Sequence, residues 1–472
     1  MTSSPPQGST VAIAGGGLAG LAAGCALSTA GFRVTLFERR PYLGGRASSY
    51  QHPGTGEIVD NCQHVLLGCC TNLIDLYRRS GVEDKIRWYD RLTFLEPGGR
   101  ASVIRPSGLP APLHAGPSFL RAHCLNMADK IAIGRAMAAL VPATPEEHGE
   151  TFLSWLKRHG QTGRAIERFW KTILVSALNE DLDHMSVPYA AQVIRESFMK
   201  SAAAGRMGVP TVPLTELYNA AGDTIRARGG DVQFRAGVES FRAQPSGVAV
   251  LVNGQERNFD YLVLAVSFDV LAKMLPDSPT ATPLAELLSH FTTSPITGIH
   301  LWFDRAITDL DHAVLLDRTI QWMFHKSRLI ERRGTAAQGN GQGSYVELVV
   351  SSSRSLVEKS RGEIVELAVK ELGEFLPAVR EAQLLKSTVI KEVHATYSPR
   401  PGVDQYRPQP TTAWPRVFLA GDFVATGWPA TMEGAVRSGY LAAESLARVS
   451  GTSNANFLVA NLPGTGFMRS AR

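Results

Sequence analysis

The stretch from Val11 to Phe37 constrains this chain more than any other. A short apolar run, VAIA (Val11 to Ala14), leads into Gly15, Gly17, Gly20 and Gly24 at the spacing G-x-G-x-x-G-x-x-x-G. A second run, RVTLF (Arg33 to Phe37), ends on Glu38. Glycine makes up 44 of 472 residues, so the spacing alone says little. Its placement between a strand and a helix, with an acidic residue about 20 positions on, is what a dinucleotide requires. Gly15 allows the tight turn, Gly17 lets backbone approach a pyrophosphate, and Gly20 permits close packing of helix on strand. The helix start, at Leu18 and Ala19, offers unpaired N–H groups and a positive dipole end to the phosphates. Glu38, followed by Arg39, accepts hydrogen bonds from a ribose with free hydroxyls, which favours FAD or NAD over NADP.

No charged side chain occurs from Met1 to Phe32, so a signal peptide and a membrane span compete with this reading. A signal peptide needs a basic n-region, and none is present. A span needs about 20 predominantly apolar residues, whereas Val11 to Phe32 is broken by six glycines, three of them consecutive. Only nucleotide binding accounts for Glu38. The net charge of +5 contains no Lys/Arg-rich block, which argues against nucleic acid and is compatible with attraction to an anionic membrane surface. Five cysteines without a C-x-x-C pair read as reduced thiols in a cytoplasmic chain.

After the first unit the chain leaves the dinucleotide pattern. Gly116 to Leu140 alternates apolar and basic positions at helical spacing, and Phe152 to Leu178 is a second helical run. Strand signals return at Val232 to Val238, Val248 to Val252, Tyr261 to Val266, Thr297 to Phe303 and Tyr345 to Val350. Glu331 to Gly343 reads as a flexible loop, Ile364 to Phe375 as a helix, and the residues from Ser450 as a loosely held tail.

The return to the opening fold comes near the end. RVFLA (Arg416 to Ala420) is an apolar strand running into Gly421 and Asp422, followed by a helix from Thr431 to Ala447. Ligands of open α/β sheets bind at such strand ends. A nicotinamide cofactor needs no second, distant element, whereas a flavin does. Asp422 suits a ribityl hydroxyl or the pyrophosphate region, and the backbone N–H groups at Met432 and Glu433 suit the N1/C2=O edge of a flavin.

Taken together, Gly15 to Glu38, PYLGGRASS (Pro41 to Ser49) and FLAGD…MEGAVRSG resemble the FAD-dependent amine oxidase and phytoene desaturase superfamily. Gly44, Gly45 and Arg46 match its G-G-R signature. More narrowly, DNCQHVLLGCCTNL (Asp60 to Leu73), ITGIHLWFD (Ile296 to Asp304) and GWPATMEGAVRSG (Gly427 to Gly439) resemble the hydroxysqualene dehydroxylases of hopanoid synthesis. In many of these relatives a glycine stands where this chain has Cys62.

The resemblance implies an α/β fold. A discontinuous Rossmann-type FAD-binding domain (8–90, 206–285 and 390–450) accompanies a mixed α+β substrate domain (91–205 and 286–389), and 451–472 is a flexible tail. Val238 falls where relatives place a backbone contact to adenine. The implied activity is reductive dehydroxylation of hydroxysqualene to squalene. It brings with it an unnamed electron donor, upstream squalene-synthase-like enzymes and contact with the inner face of the cytoplasmic membrane. His64 is the candidate for protonating the leaving hydroxyl, with Gln63 positioning it or touching the flavin. The alternative is a structural His64 with Asp60 capping a helix. Tyr397 either encloses the flavin or belongs to the core. Cys62, Cys69 and Cys70 read as small buried apolar residues. Gly116 to Leu140, with Leu120, Cys124, Met127, Ile131 and Ala138 toward one face, is either the lip of a lipid-accessible tunnel or an ordinary domain helix.

Two other functions fit the cofactor signatures. One is a carotenoid-type desaturase running the flavin oxidatively, and the other is a flavin-bearing carrier of isoprenoids without catalysis. Amine oxidation fits less well, since related oxidases carry a lysine on the strand leading to the flavin N5 and Ile296 to Phe303 has none.

Overall fold

The computed structural model describes residues 8–330, 343–452 and 455–469. Thr10–Ala14 is the middle strand of a five-stranded sheet in which every neighbour is parallel. Across the sheet the order is Asp231–Phe234, Arg33–Glu38, Thr10–Ala14, Tyr261–Leu264 and Val417–Leu419. Strand alternation sends neighbouring side chains to opposite faces. Val11, Ile13, Val34, Leu36 and Val263 pack under the helices Leu18–Thr29, Leu214–Ala227 and Met432–Val449. Ala12, Ala14, Phe37, Leu262 and Leu264 face the small antiparallel sheet of residues 238–259, where Phe37 meets Phe259 edge-on. Burial on both faces is why these strands read as continuous apolar runs.

Register decides where the ligand can lie. Ala14 pairs with Phe37 and Leu264, Glu38 with Phe234, and Leu264 with Leu419. The carboxyl ends of all five strands therefore share one edge, although they come from positions hundreds of residues apart. The first helix and the C-terminal helix cross closely over that edge. A Cβ on Gly439 would lie 2.2 Å from the Ala19 carbonyl oxygen, so only glycine permits the crossing.

A seven-stranded mixed sheet forms the second large layer, in the order Leu384–Tyr397, Thr293–Phe303, Ser344–Ser351, Trp322–Phe324, His312–Leu315, Leu92–Leu95 and Ala101–Ile104. The helix Arg361–Phe375 starts with a reciprocal Ser360–Glu363 capping box and packs on this sheet through Ile364, Ala368 and Leu372.

Three sequence expectations change. Gly116 to Leu140 is not one helix: Gly116–Arg121 ends at Ala122, and Met127–Ala139 starts anew at a capping box between Asn126 and Asp129. The local hydrogen bonds of Asn126 outcompete continuation of the helix. The run from Phe152 also breaks, with Phe152–Arg158 ending before Gly160, in the left-handed region at φ +65°, and helix resuming over 163–178. The described tail residues 455–469 make contacts with the body of the protein. Val459 exchanges backbone hydrogen bonds with the Asn72 side chain, Phe457 and Leu458 donate to Glu444, and Met468 is buried. The loop expected at Glu331 to Gly343 lies, except for Gly343, outside the described residues. No helix among the described residues is long and apolar enough to cross a membrane.

Candidate active site

At the sheet edge, Gly15 turns out of the first strand with φ +111°, and its N–H donates to the Phe37 carbonyl. Side chains are excluded from this turn. A Cβ on Gly15 would lie 2.5 Å from the Ala265 oxygen, and one on Gly20 would lie 2.0 Å from the Gly15 oxygen. The first helix begins at Leu18 with Gly17 as its cap, without a capping side chain and without an acid in the first turn. Its opening N–H groups thus face a cavity of about 620 Å³ lined by Gly15, Gly17, Leu18 and Ala19. Such a helix start is an anion site.

Glu38 is buried at the adjoining strand end. Its Oε2 accepts from Gly16 N at 2.8 Å and its Oε1 from Arg40 N at 2.7 Å, which fixes the carboxylate toward the cavity while each oxygen keeps a lone pair for a diol. Arg39, Gly237 and Val238 line the same end.

The other sequence-identified elements converge from afar. The Arg46 guanidinium donates through Nη2 to Asp422 Oδ1 and through Nη1 to the Ala395 carbonyl, each at 2.8 Å. This ties the G-G-R segment (Gly44, Gly45, Arg46) to the last strand. Gly421 has φ +152° and lies against the Phe423 ring. In the first turn of the helix Met432–Val449, the Thr431 hydroxyl caps Gly434 N and the Thr431 carbonyl accepts from Ala435 N. The N–H groups of Met432 and Glu433 stand in this first turn, and both residues line the cavity. The Glu433 carboxylate, by contrast, is structural. Fully buried, it accepts from Asn72 and Leu73 backbone N–H groups and from Arg437, clamping the helix Thr71–Arg79 in place. Glycines that exclude side chains, an open helix start, a ribose acid and a second helix start all fit a bound FAD.

Beyond this lies a polar edge. Gln63 and His64 line the cavity, while Asp60 lies just behind them and does not. Asp60 accepts from Ser49 Oγ at 2.5 Å, from Leu214 N at 3.2 Å and, through Oδ2, from Lys326 Nζ at 2.6 Å. Its Oδ1 thus meets the first N–H of the helix Leu214–Ala227, and its Oδ2 anchors a buried lysine. Lys326 is only 2% exposed and also donates to Gln63 Oε1 at 2.7 Å. Its contact with Glu347 Oε2, at 3.4 Å, is an ion-pair distance rather than a tight hydrogen bond. Burial would raise the Asp60 carboxyl, but the Lys326 ammonium and the Ser49 hydroxyl hold it below its usual range. Burial pushes Glu347 up to about 8, only partly opposed by Lys326, so this acid keeps its proton at neutral pH. The cluster is then a single ion pair with a neutral partner, the arrangement a dry interior tolerates.

This geometry revises the roles read from sequence. A lysine ammonium has no acceptor, so the Gln63 atom facing it is the oxygen, and the amide nitrogen points the other way. One Nε2–H reaches the His64 carbonyl at 3.1 Å, leaving the second for a ligand. His64 Nδ1 lies 2.7 Å from the Cys62 carbonyl, an acceptor only, so Nδ1 carries hydrogen. Burial lowers the His64 pKa from 6.5, outweighing its backbone partner at Cys62. The neutral ring then presents Nε2 as an acceptor. In this arrangement Gln63 offers a donor and His64 an acceptor, where the sequence expectation had His64 protonating the hydroxyl and Gln63 positioning it or touching the flavin.

Lys326 and Glu347 escaped the sequence reading. The one signal was Glu347 itself, an acid inside the apolar strand run YVELVV (Tyr345 to Val350). Lys326 is the first residue of the short helix Lys326–Leu329 that follows the strand Trp322–Phe324, and it does not itself line the cavity. Tyr397 is fully buried, edge-on to Phe291, and belongs to the core. Burial raises the Cys62 thiol well above its usual value, so it is no nucleophile. Cys69 and Cys70 border the cavity, with Cys69 Sγ 3.4 Å from the Ser197 hydroxyl. The remaining walls mix apolar side chains, among them Leu92, Phe94, Ile173, Val193, Phe198 and Trp322, with polar ones such as Ser176, Asn179, Gln192, Glu196 and His394.

Comparison with known proteins bears on the family and the fold. Residues 18–447 match the family described as "Flavin containing amine oxidoreductase". The 15-cis-phytoene desaturase of Synechococcus elongatus is 27% identical over 465 residues, covering 92% of this chain and 95% of that protein. A probable zeta-carotene desaturase of the same organism is 25% identical, covering 92% of this chain and 98% of its own length. Among solved structures, an oxidoreductase from Methanosarcina mazei superposes with a TM-score of 0.69 at 17% identity, over 91% of this chain and 98% of that one, a likeness of fold.

Proposed function

Since the chain belongs to the flavin-containing amine oxidoreductase family and takes FAD as its cofactor, we propose that this FAD-dependent oxidoreductase reduces hydroxysqualene to squalene and releases the hydroxyl as water. The observation that carries the reading is the donor–acceptor pair of Gln63 and His64 in a cavity that also presents the apolar side chains of Leu92, Phe94, Ile173, Val193, Phe198 and Trp322. A chain of isoprene units needs apolar walls, and only a substrate bearing a polar atom needs a donor and an acceptor side by side at one point.

Reduced FAD supplies a hydride and a proton to this reaction when bound. The chain's own residues act on the hydroxyl. His64 Nε2 accepts its hydrogen and orients it, while the free Nε2–H of Gln63 donates to its oxygen. Lys326, bonded to the far end of the same amide, polarises it and strengthens that donor. As the allylic C–O bond breaks, its electron pair stays on oxygen and the carbon receives the hydride. The leaving oxygen takes one proton and departs as water. Donors already aimed at the oxygen favour the charge-separated state without reorganisation, and the apolar walls keep bulk water from the cation.

A second reading, oxidative desaturation of a polyisoprenoid, is favoured by the relatives named phytoene and zeta-carotene desaturase. There the neutral His64 Nε2 would take up a proton as hydride leaves the substrate.

One experiment separates the two. Protein reduced without oxygen is mixed with hydroxysqualene, flavin absorbance is followed and the lipid is extracted. Flavin reoxidation with stoichiometric squalene is the expected outcome. Persistently reduced flavin beside untouched hydroxysqualene overturns the reading, and turnover of phytoene by oxidised protein would install the second one.

A further inference from the structure

We propose that Trp322, held in place by Ser176, sets how far an apolar chain can run from the polar edge into the cavity. The proposal deepens the functional reading. It rests on the cavity taking an isoprenoid chain and holds whichever way the flavin chemistry runs.

Register builds the floor of that space. In the seven-stranded sheet Gly298 pairs with Val349, Val349 with Trp322, Trp322 with Val314 and Val314 with Phe94. Paired residues share one face of a sheet, so these five form a single rank across five strands. The opposite face, with Leu348, Met323 and Leu315, packs on the helix Arg361–Phe375. A Cβ on Gly298 would lie 3.2 Å from the Asn61 oxygen, so the rank begins against the segment that carries Gln63 and His64. Val349, Trp322, Val314 and Phe94 all line the cavity. With strands spaced about 4.8 Å apart, Trp322 stands ~10 Å and Phe94 ~19 Å from Gly298.

The helix over 163–178 roofs this rank. At one end Arg168 Nη1 donates to Glu96 Oε1 at 2.8 Å, next to the strand that carries Phe94. At the other, Asn179 Nδ2 donates at 3.0 Å to the Ser294 carbonyl, on the strand that carries Gly298. From Arg168 to Asn179 a helix rises ~16 Å, close to the width of the rank. The roof therefore crosses the strands, and it turns Thr172, Ile173, Ser176 and Ala177 to the cavity.

Trp322 joins floor to roof. Its Nε1 donates to Ser176 Oγ at 2.7 Å, and Ser176 Oγ donates in turn to the Thr172 carbonyl at 2.8 Å. The indole has one donor and the hydroxyl one hydrogen, so neither has a donor left for a ligand. Phe324 stacks on the indole at 5.6 Å with planes 8° apart, which fixes the ring by packing as well. On its far side Val314 is 1% and Phe94 3% exposed, so little of the far floor is open while the ring stays in place. An apolar chain that reaches past this point must displace the indole, and a shorter one need not.

The test is chain-length selection by the FAD-loaded protein, using saturated hydrocarbons that cannot react. Protein in detergent is incubated with an equimolar mixture of squalane, six isoprene units long, and lycopane, eight units long. The protein is then gel-filtered and the retained lipid measured by gas chromatography. The parent should retain squalane in excess. W322A should move the retained ratio at least about tenfold toward lycopane, the scale on which a pocket wall discriminates chain length. S176A keeps the ring but removes its anchor, and should move the ratio the same way by less. Flavin content and melting temperature report folding, and S176A decides alone if W322A does not fold. A merely structural role would lower both retained lipids together and leave their ratio unchanged. Parental ratios in the folded variants, or a parent that retains both lipids equally, overturn the inference and leave the isoprenoid reading standing. A parent that retains neither lipid overturns that reading, and this inference with it.

Discussion

Lys326 Nζ lies 2.7 Å from Gln63 Oε1 across 263 positions of sequence, and this contact fixes which end of the Gln63 amide faces the cavity. Replacing Lys326 with Met frees the amide to turn and strands the Asp60 carboxylate in the interior. Removing one partner of a buried pair costs about 3–5 kcal/mol. K326M should therefore melt well below the parent, and D60N/K326M should recover much of that loss without recovering turnover. Thermal unfolding alongside single-turnover rates checks both halves.

The donor role of Gln63 predicts a loss confined to chemistry. Removing one preorganised donor lowers rates by about a hundredfold or more. Q63L should show that loss in the single-turnover rate constant while flavin content and substrate affinity change little. Q63L turning over at the parent rate would sink the assignment.

Activity should depend on pH with two limbs. In the proposed reaction His64 acts as the neutral ring, so turnover should fall as pH drops through its pKa, which burial lowers from 6.5. Glu347 is neutral until pH reaches about 8, where its ionisation sets a second carboxylate against Lys326 and weakens the polarisation of Gln63. H64Q should remove the acid limb and E347Q the alkaline limb. Rate profiles of the three proteins decide it.

Glu347 also predicts how stability responds to pH. Burial raises its folded pKa from 4.5 to about 8. Between those values the folded chain holds a proton that the unfolded chain has lost. Its contribution is complete below about 4.5 and declines as pH rises toward 8. E347Q should flatten that part of a melting-temperature profile.

Gly20 tests the phosphate turn. An added Cβ would lie 2.0 Å from the Gly15 oxygen, so G20A must open the turn that presents the helix start. Flavin occupancy of the purified protein should fall at least about tenfold, equivalent to ~1.4 kcal/mol. The melting temperature measured without cofactor should change much less.

The cofactor half of this protein could be read from the sequence because its requirements are local. Gly15, Gly17 and Gly20 are needed within one turn, Glu38 at the end of the next strand, and Gly421 and Asp422 at a strand end beside a helix. Backbone geometry and apolar periodicity encode such features in adjacent residues. The polar edge at Gln63 and His64 is different. Which residue donates a hydrogen bond depends on Lys326 and Glu347, brought to Asp60 and Gln63 by sheet register and burial, and no spacing rule connects them. The segment at 116–140 shows the same division. Sequence placed its apolar and basic residues at helical intervals, but only the packed structure, with its break at Ala122 and its cap at Asn126, decided that Cys124 turns inward while Leu120, Met127 and Ile131 face out. Periodicity states which residues share a face; what covers that face is set by contacts between segments distant in sequence.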